Sequence, residues 1–401
     1  MEFQSPEDSL PSGFITDEMS RQIAGRPPAS GAWRDGDPAG DREFAPIAGL
    51  KLESGKELGV FRIAYESWGT LNEDSSNAVL VLHALTGDSH VIGNASKAHP
   101  TEGWWNGIIG PGLAIDTDKF FVVAPNMLGG CQGSTGPSSM DSKGTEYASK
   151  FPFLTIRDQV RAQKAFSDSI GITHWHAIIG GSMGGMQSLE WGVMYPDSMT
   201  NLAVIAAPPV STADQIALNC VQIEAIKTDP AFKDGHYYEA RAGQGPHRGV
   251  ALARRMALLN YRSPSELNDR FERTWQSSVN PLGGGGKFAV ESYLDFHGNK
   301  FTRRFDANSY ITLVNAMNSH DVTRDRGTMK QALSAIKART LVAGIDSDRL
   351  FPISGQAQIA ENLSCPMVGG GLQTIPSEFG HDGFLIEKDL VGPLLTQLLE
   401  N

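Results

Sequence analysis

The stretch from Ala177 to Gln187 constrains this chain more than any other. Ala177-Ile178-Ile179 reads as the end of a buried strand, and a helical pattern starts at Met183, with Met186, Leu189, Val193 and Met194 spaced for one apolar face. Ser182 stands at the junction, inside Gly180-Gly181-Ser182-Met183-Gly184, a G-x-S-x-G pattern. A serine at so sharp a strand-to-helix turn takes a positive φ, and the glycines two before and two after let neighbouring backbone pass without a Cβ clash. The turn lifts the hydroxyl clear of the sheet. It also aims the unpaired N–H groups of the next helix at negative charge developing beside Ser182. The competing reading is a glycine-rich connection that happens to hold a serine. Partners elsewhere in the chain decide between the two.

The text on either side reads as a parallel sheet. Ala78 to Leu85 is a continuous apolar run, suited to a central strand covered on both faces. Leu58 to Ser67 alternates like a half-buried strand, and Phe120 to Leu128 and Asn201 to Ala207 read as further buried strands. Ile156 to Ile170 reads as a helix, so strands and helices alternate up to Ala207. From 209 to 327 the rhythm breaks. Helix candidates at Ser211–Thr228 (with Ser211 able to cap it), Pro246–Tyr261, Ser265–Trp275, Phe288–Phe296 and Asn308–Met317 follow one another without a parallel strand. This segment reads as a helical lid inserted into a core formed by 45–208 and 328–401. The sheet resumes at Thr340–Ile345, followed by a helix at Gln356–Leu363, a short strand near Leu372–Ile375 and a closing helix over Val391–Leu399. Residues 1–44, rich in Pro, Gly, Ser, Asp and Arg with little apolar periodicity, read as a flexible tail.

Charge and cysteine content exclude several functions. A net charge of −11 with no basic cluster argues against a nucleic-acid surface. No run of 18 apolar residues would span a bilayer, and the N-terminus lacks the basic and apolar regions of a signal peptide. Cys131, Cys220 and Cys365 are an odd number at wide spacing, which fits reduced thiols in a cytoplasmic protein and gives no metal-ligand pattern. No metal and no permanently bound cofactor is expected. Gly129 to Ser139 lacks the G-x-G-x-x-G spacing of a dinucleotide loop, and Pro137 blocks the helix that should follow, so it reads as a fixed loop at the carboxyl ends of the strands. Packing is the better account of Cys131, which has no histidine near it in sequence. His83, on a strand, reads as a buried histidine with a satisfied hydrogen bond rather than a catalytic one.

A serine hydroxyl needs a base, and imidazole needs a carboxylate on its other nitrogen to fix its tautomer. In the α/β-hydrolase fold the chain order is Ser, acid, His, and one half of the oxyanion hole is the N–H after the nucleophile while the other lies at the end of an earlier strand. Ser182, Asp348 and His381 occur in that order, each after a predicted strand, so all three fall on one edge of the sheet. Asp346 competes with Asp348, and spacing does not separate them. The N–H groups of Leu85 and Met183 are the oxyanion candidates.

At these residues the chain resembles a family. The segments Gly180–Gln187, His83-Ala84-Leu85-Thr86-Gly87-Asp88, Gly129–Pro137, Ser347-Asp348-Arg349-Leu350-Phe351-Pro352 and Gly380-His381-Asp382-Gly383-Phe384 look like the signatures of homoserine O-acetyltransferases, enzymes of methionine biosynthesis with an α/β-hydrolase fold. The resemblance runs from about Phe44 to the C-terminus. It implies Ser182 as nucleophile, His381 as base and Asp348, not Asp346, as the acid. It also implies that Arg254 and Asp382 bind the substrate, with Arg255 still possible beside Arg254. An arginine fork suits the carboxylate of homoserine and a carboxylate suits its ammonium. Acetyl-CoA is implied as the acetyl donor, and a homodimer through the lid as the assembly. The expected mechanism is ping-pong through an acetyl-serine, where losing one oxyanion donor would cost about 3 kcal/mol. The same scaffold would serve a succinyl donor or a serine acceptor after local pocket changes. A serine esterase and a non-catalytic binding protein are weaker alternatives, the latter because such proteins usually lose a triad member.

Overall fold

A computed structural model describes residues 15–400. Its centre is an eight-stranded sheet built from β1 (Glu43–Ile47), β2 (Phe61–Trp68), β3 (Ala78–Leu82), β4 (Phe121–Pro125), β5 (Trp175–Gly181), β6 (Met199–Ile205), β7 (Arg339–Ile345) and β8 (Gln373–Ile375). The strand order is β1-β2-β4-β3-β5-β6-β7-β8. β2 runs antiparallel to both β1 and β4, and every other neighbouring pair is parallel. This is the α/β-hydrolase architecture.

The apolar runs are continuous because both faces of the sheet are covered. Successive residues of β3 feed opposite cores: Leu80 and Leu82 pack on one side, Val79 and Val81 on the other. The same alternation recurs in β6, with Leu202 and Val204 against Ala203 and Ile205. The helices Ile156–Ser169 and Met183–Met194 connect β4 to β5 and β5 to β6. From β3 the chain steps outward to β4 and then across to β5 on the other side. The carboxyl ends of β3 and β5 therefore flank the switch in strand order where open sheets form their crevice.

Several expectations need correction. The alternating strand does not begin at Leu58. Glu57–Leu58 pairs with Leu50–Lys51 in a separate small hairpin, and β2 starts at Phe61. The helix after Ser182 is buried all round from Met183 to Gly192 rather than on one face. The preceding helix covers its polar side, where Gln187 bonds Gln163 and Gln159 at 2.7 and 2.8 Å and Glu190 meets Arg157 at 3.3 Å. Thr212, not Ser211, caps the helix Ala213–Lys227, through a reciprocal box with Gln215. Ser211 instead donates to the Met317 carbonyl at 2.6 Å.

The flexible tail is also corrected over residues 15–44; residues 1–14 lie outside the described residues. A short helix, Asp17–Gln22, is followed by carbonyls 23 to 25, all three accepting from Arg303. Ser30 donates to Asp306 at 2.7 Å, Gly31 N–H to the Phe305 carbonyl, and Trp33 N–H to the Cys131 carbonyl at 2.9 Å. β1 then joins the sheet edge. This segment is held by polar contacts to other parts of the chain, which a search for apolar periodicity does not see.

Between β6 and β7 the chain leaves the sheet. It forms the helices Ala213–Lys227, His247–Tyr261, Pro264–Phe271, Ala289–Phe301 and Ala307–Asn318, then the short Met329–Leu333. The first leg of this excursion pairs with its last, Ser211 N–H to His320 O and Val322 N–H to Pro209 O. Asp306, fully buried, gathers the excursion by accepting from Tyr237, Tyr238, Ser30 and the Ser309 N–H. None of the described helices is long and apolar enough to cross a membrane.

Candidate active site

Ser182 takes φ 59° and ψ −124°, the strained conformation that its turn requires. The glycines around it are sterically obligatory. A Cβ at Gly180 would lie 2.1 Å from the Gly184 carbonyl oxygen, and one at Gly184 would lie 2.1 Å from the Leu82 carbonyl oxygen. The missing side chains let the helix start directly behind the end of β3. Leu85, three residues past the end of β3, lines the same cavity as Ser182, and Met183 follows the serine directly. Among the described residues, neither the Leu85 nor the Met183 N–H finds an intramolecular acceptor, so both are available to an oxyanion.

His381 lies in a turn after β8, Gly380–Asp382, and its Nε2 is 2.8 Å from the Ser182 Oγ. Its Nδ1 is 2.7 Å from Asp348 Oδ2. The other oxygen of Asp348 accepts from the Leu350 and Phe351 N–H groups at 2.8 and 2.9 Å, so the carboxylate is held rigidly. Asp346 is exposed and accepts from the Ser377 N–H instead, away from His381. The geometry thus separates the two aspartates that spacing left tied. All three side chains of the relay are buried. Phe351, Phe384 and Tyr261 ring the imidazole at 5.1 to 5.8 Å between centroids, which limits water around it. Burial pulls the His381 imidazole down, but the charge and hydrogen bond of Asp348, helped by Asp382, hold it above its ordinary 6.5.

A cavity of about 260 Å³ opens on the serine. Arg254, Tyr261, Arg262 and Asp382 line it with Ser182 and His381. Arg254 stacks its guanidinium over Tyr261 and Phe301, and its Nη1 is buried without a partner. Arg255 turns away to Asp295 at 2.7 Å and lines a different cavity. Burial raises the Asp382 carboxyl above its ordinary value, against the pull of Arg262. Arg262 Nε stands 3.3 Å from Asp382, and Arg262 also approaches Glu266 at 3.7 Å. Sequence reasoning missed Arg262. No local signal marked it, because Arg262 lies just past the helix His247–Tyr261, in extended backbone.

The residues set aside on sequence grounds have structural roles. His83 accepts the Met127 N–H at Nε2 and bonds the Ala84 carbonyl at Nδ1, and burial lowers it to about 4. Burial pushes the Cys131 thiol up to about 12, which removes it as a nucleophile. The Gly129–Ser139 loop pins β2, with Ser134 and Thr135 hydroxyls accepting the Ala64 and Arg62 N–H groups. One buried group, Glu66, His90 and His99, has ligand-type atoms within 4.8 Å of one another. His90 is already bonded to Glu66 at 3.1 Å, and the positive charge of Arg42 bears on His99, both of which oppose a cation there.

Comparison with known proteins agrees with this fold. A family model described as the alpha/beta hydrolase fold matches residues 77–388. The homoserine O-acetyltransferase of Leifsonia xyli is 63% identical over 391 residues, covering 98% of this chain and 97% of the relative. Among solved structures, homoserine O-acetyltransferase from Bacillus anthracis superposes with a TM-score of 0.80 at 27% identity, over 90% of this chain and 97% of that one. An acetylester hydrolase from Corynebacterium glutamicum gives 0.76 at 26% identity over 90% and 97%. Shape alone therefore does not distinguish a transferase from a hydrolase, whereas the full-length sequence identity does.

Proposed function

The chain belongs to the homoserine O-acetyltransferase family of the α/β-hydrolase fold, and from that premise we propose that it transfers acetyl from acetyl-CoA to the hydroxyl of L-homoserine, in the route to L-methionine. The observation that carries this reading is the relay Ser182–His381–Asp348, at 2.8 and 2.7 Å, opening on a cavity that also holds Arg254 and Asp382.

In the first half-reaction Ser182 Oγ attacks the thioester carbonyl carbon while His381 Nε2 takes its proton. The Leu85 and Met183 N–H groups hold the oxyanion. The carbon–sulfur bond then breaks, His381 returns the proton to the departing thiolate, and an acetyl-serine remains. In the second, His381 accepts the proton of the homoserine hydroxyl as that oxygen attacks the acetyl carbon. The tetrahedral intermediate expels Ser182 Oγ, which is reprotonated by His381. Arg254 takes the homoserine carboxylate and Asp382 the ammonium. No bound cofactor or metal is needed for either half.

Acetyl is favoured over succinyl by the state of Arg262. It is the second cation of the cavity, but it is engaged by Asp382 and Glu266 and so is not free for the carboxylate of a succinyl group. A homodimer through the lid is supported by exposed Ile216, Val221, Leu252 and Leu259 on two lid helices packed on each other. Three free cysteines fit a cytoplasmic setting.

The test is a thiol-release assay pairing acetyl-CoA or succinyl-CoA with homoserine, serine or no acceptor. Turnover with acetyl-CoA plus homoserine alone is expected, and Ser182→Ala should abolish it. Acceptor-independent thiol release would make the protein a hydrolase. A fully active Ser182→Ala would remove the nucleophile from the argument.

A further inference from the structure

The segment that carries the Leu85 N–H is held from outside itself. After β3 the chain turns back at Ala84–Gly87, where the Gly87 N–H donates to the Ala84 carbonyl at 2.9 Å, so Leu85 and Thr86 form the corner of a tight turn. Ala84, Leu85 and Thr86 all line the cavity that holds Ser182. β3 fixes the chain before the turn. Beyond it, Trp104 Nε1 donates to the Asp88 carbonyl at 2.9 Å, and the Asn126 side chain accepts the Ser89 N–H at 3.0 Å. Among the described residues, the side chain that reaches the backbone of the corner is Arg304. Its Nη1 donates to the Thr86 carbonyl at 2.7 Å and its Nη2 to Asp88 Oδ2 at 2.6 Å.

One guanidinium therefore spans the turn. It grips the carbonyl of the residue after Leu85 and the carboxylate that closes the segment. The Arg304 and Asp88 side chains are only 14% and 6% exposed, a setting in which charge-assisted bonds are strong. Burial pushes the Asp88 carboxyl up, but the charge of Arg304, ahead of His83 and Arg42, holds it below its ordinary value, so the pair is ionised. Asp88 Oδ1 accepts the His90 N–H at 3.0 Å, which fixes the carboxylate in turn.

Arg304 lies outside the sheet, just past the lid helix Ala289–Phe301. Its own backbone is clamped on three sides. The N–H donates to the Phe301 carbonyl at 3.0 Å, and the carbonyl accepts from Gln132 Nε2, in the Gly129–Ser139 loop, at 2.7 Å. The N-terminal segment packs directly on it, since a Cβ at Gly31 would lie 2.5 Å from the Arg304 nitrogen. The lid thus reaches the turn through a residue whose place is fixed.

We propose that Arg304 is a positioning residue for acyl transfer: its grip on the Thr86 carbonyl and Asp88 aims the Leu85 N–H at the oxyanion, so that the docked lid completes the oxyanion hole. The inference rests on the reading of the Leu85 and Met183 N–H groups as that hole. Without Arg304 the corner keeps the bond across its base but loses the hold on the Thr86 carbonyl. A donor misplaced by about 1 Å costs about a hundredfold in rate. Arginine suits the task because its rigid fork reaches two acceptors at once, where a lysine ammonium is a point charge.

The experiment compares the wild type, Arg304→Ala and Arg304→Lys in two measurements. The first is kcat for thiol release from acetyl-CoA with homoserine. The second is the dissociation constant of methylboronic acid, followed by boron NMR. Its adduct with Ser182 is a tetrahedral anion that places an oxygen where the acetyl oxyanion would sit, and it needs neither substrate. Arg304→Ala should lose about a hundredfold in kcat and bind the boronic acid more weakly by a like factor. Arg304→Lys, which keeps the charge opposite Asp88, should lose about tenfold in both. A merely structural role would lower the melting temperature and the fraction of molecules that bind, not the affinity of those that do. Wild-type affinity for the boronic acid in either variant would overturn the positioning role and leave the acetyltransferase reading intact. A wild type that forms no tetrahedral adduct would overturn the oxyanion hole, and the clamp with it. A wild type that forms the adduct but releases no thiol would overturn the choice of substrates alone, the boronic acid affinities still deciding the clamp.

Discussion

The replacement Asp348→Asn tests the relay with almost no change in volume. One oxygen of Asp348 accepts two backbone N–H groups, from Leu350 and Phe351, and the other faces His381 Nδ1 at 2.7 Å. An asparagine will keep its amide oxygen on the two N–H donors, because turning it round loses both bonds, each worth about 1 kcal/mol, and sets an NH2 against them. Its NH2 group must then face Nδ1. Two donors cannot share that position, so the imidazole carries its lone pair on Nδ1 and its proton on Nε2. Nε2 then donates to Ser182 and can no longer accept the hydroxyl proton. Loss of the right tautomer in such a relay costs about 10⁴-fold in kcat, or about 5 kcal/mol. Since the backbone contacts survive, the melting temperature should barely move. Thiol release from acetyl-CoA with homoserine measures the first, and thermal denaturation the second. A folded Asp348→Asn keeping more than about a tenth of wild-type kcat would refute the tautomer argument. Asp346→Asn serves as the control and should stay active, because Asp346 is exposed and bonds the Ser377 N–H rather than the imidazole.

Two further outcomes follow from the same geometry. Acylation needs His381 neutral, and its imidazole is held above 6.5, so kcat/KM for acetyl-CoA should rise with pH along a one-proton limb. The midpoint of that limb should lie above 6.5, and a midpoint below it would contradict the influence assigned to Asp348. Gly184→Ala should destabilise the fold by about 3 kcal/mol or more, because its Cβ would meet the Leu82 and His83 carbonyls, backbone that no rotamer can clear. A variant melting with the wild type would show that the helix can retreat from β3 freely.

What the sequence made legible was local or ordered along the sheet. The glycines around Ser182, the apolar strands on either side and the run of Ser182, Asp348 and His381 after successive strands need no long-range contact to be read. Arg262 was illegible for the opposite reason. Its place depends on the C-terminal end of a lid helix docking on the His381 turn, across more than a hundred residues of chain. A Cβ at Gly380 would lie 2.6 Å from the Tyr261 carbonyl oxygen, and Ser263 donates to the Glu378 carbonyl. That seam sets Arg254, Tyr261 and Arg262 against the base. Residues 15–42 were illegible because polar contacts to the lid and to the Gly129–Ser139 loop, not an apolar face, order them. The two misreadings have one cause. The sheet edge supplies the relay, and its position is written in strand periodicity. The lid supplies the cations of the active-site cavity, and its position, like that of the N-terminal segment, is written in single hydrogen bonds between distant residues. The acyl-transfer chemistry can therefore be read from the chain, while the selection of a cationic or anionic partner for it requires the folded lid.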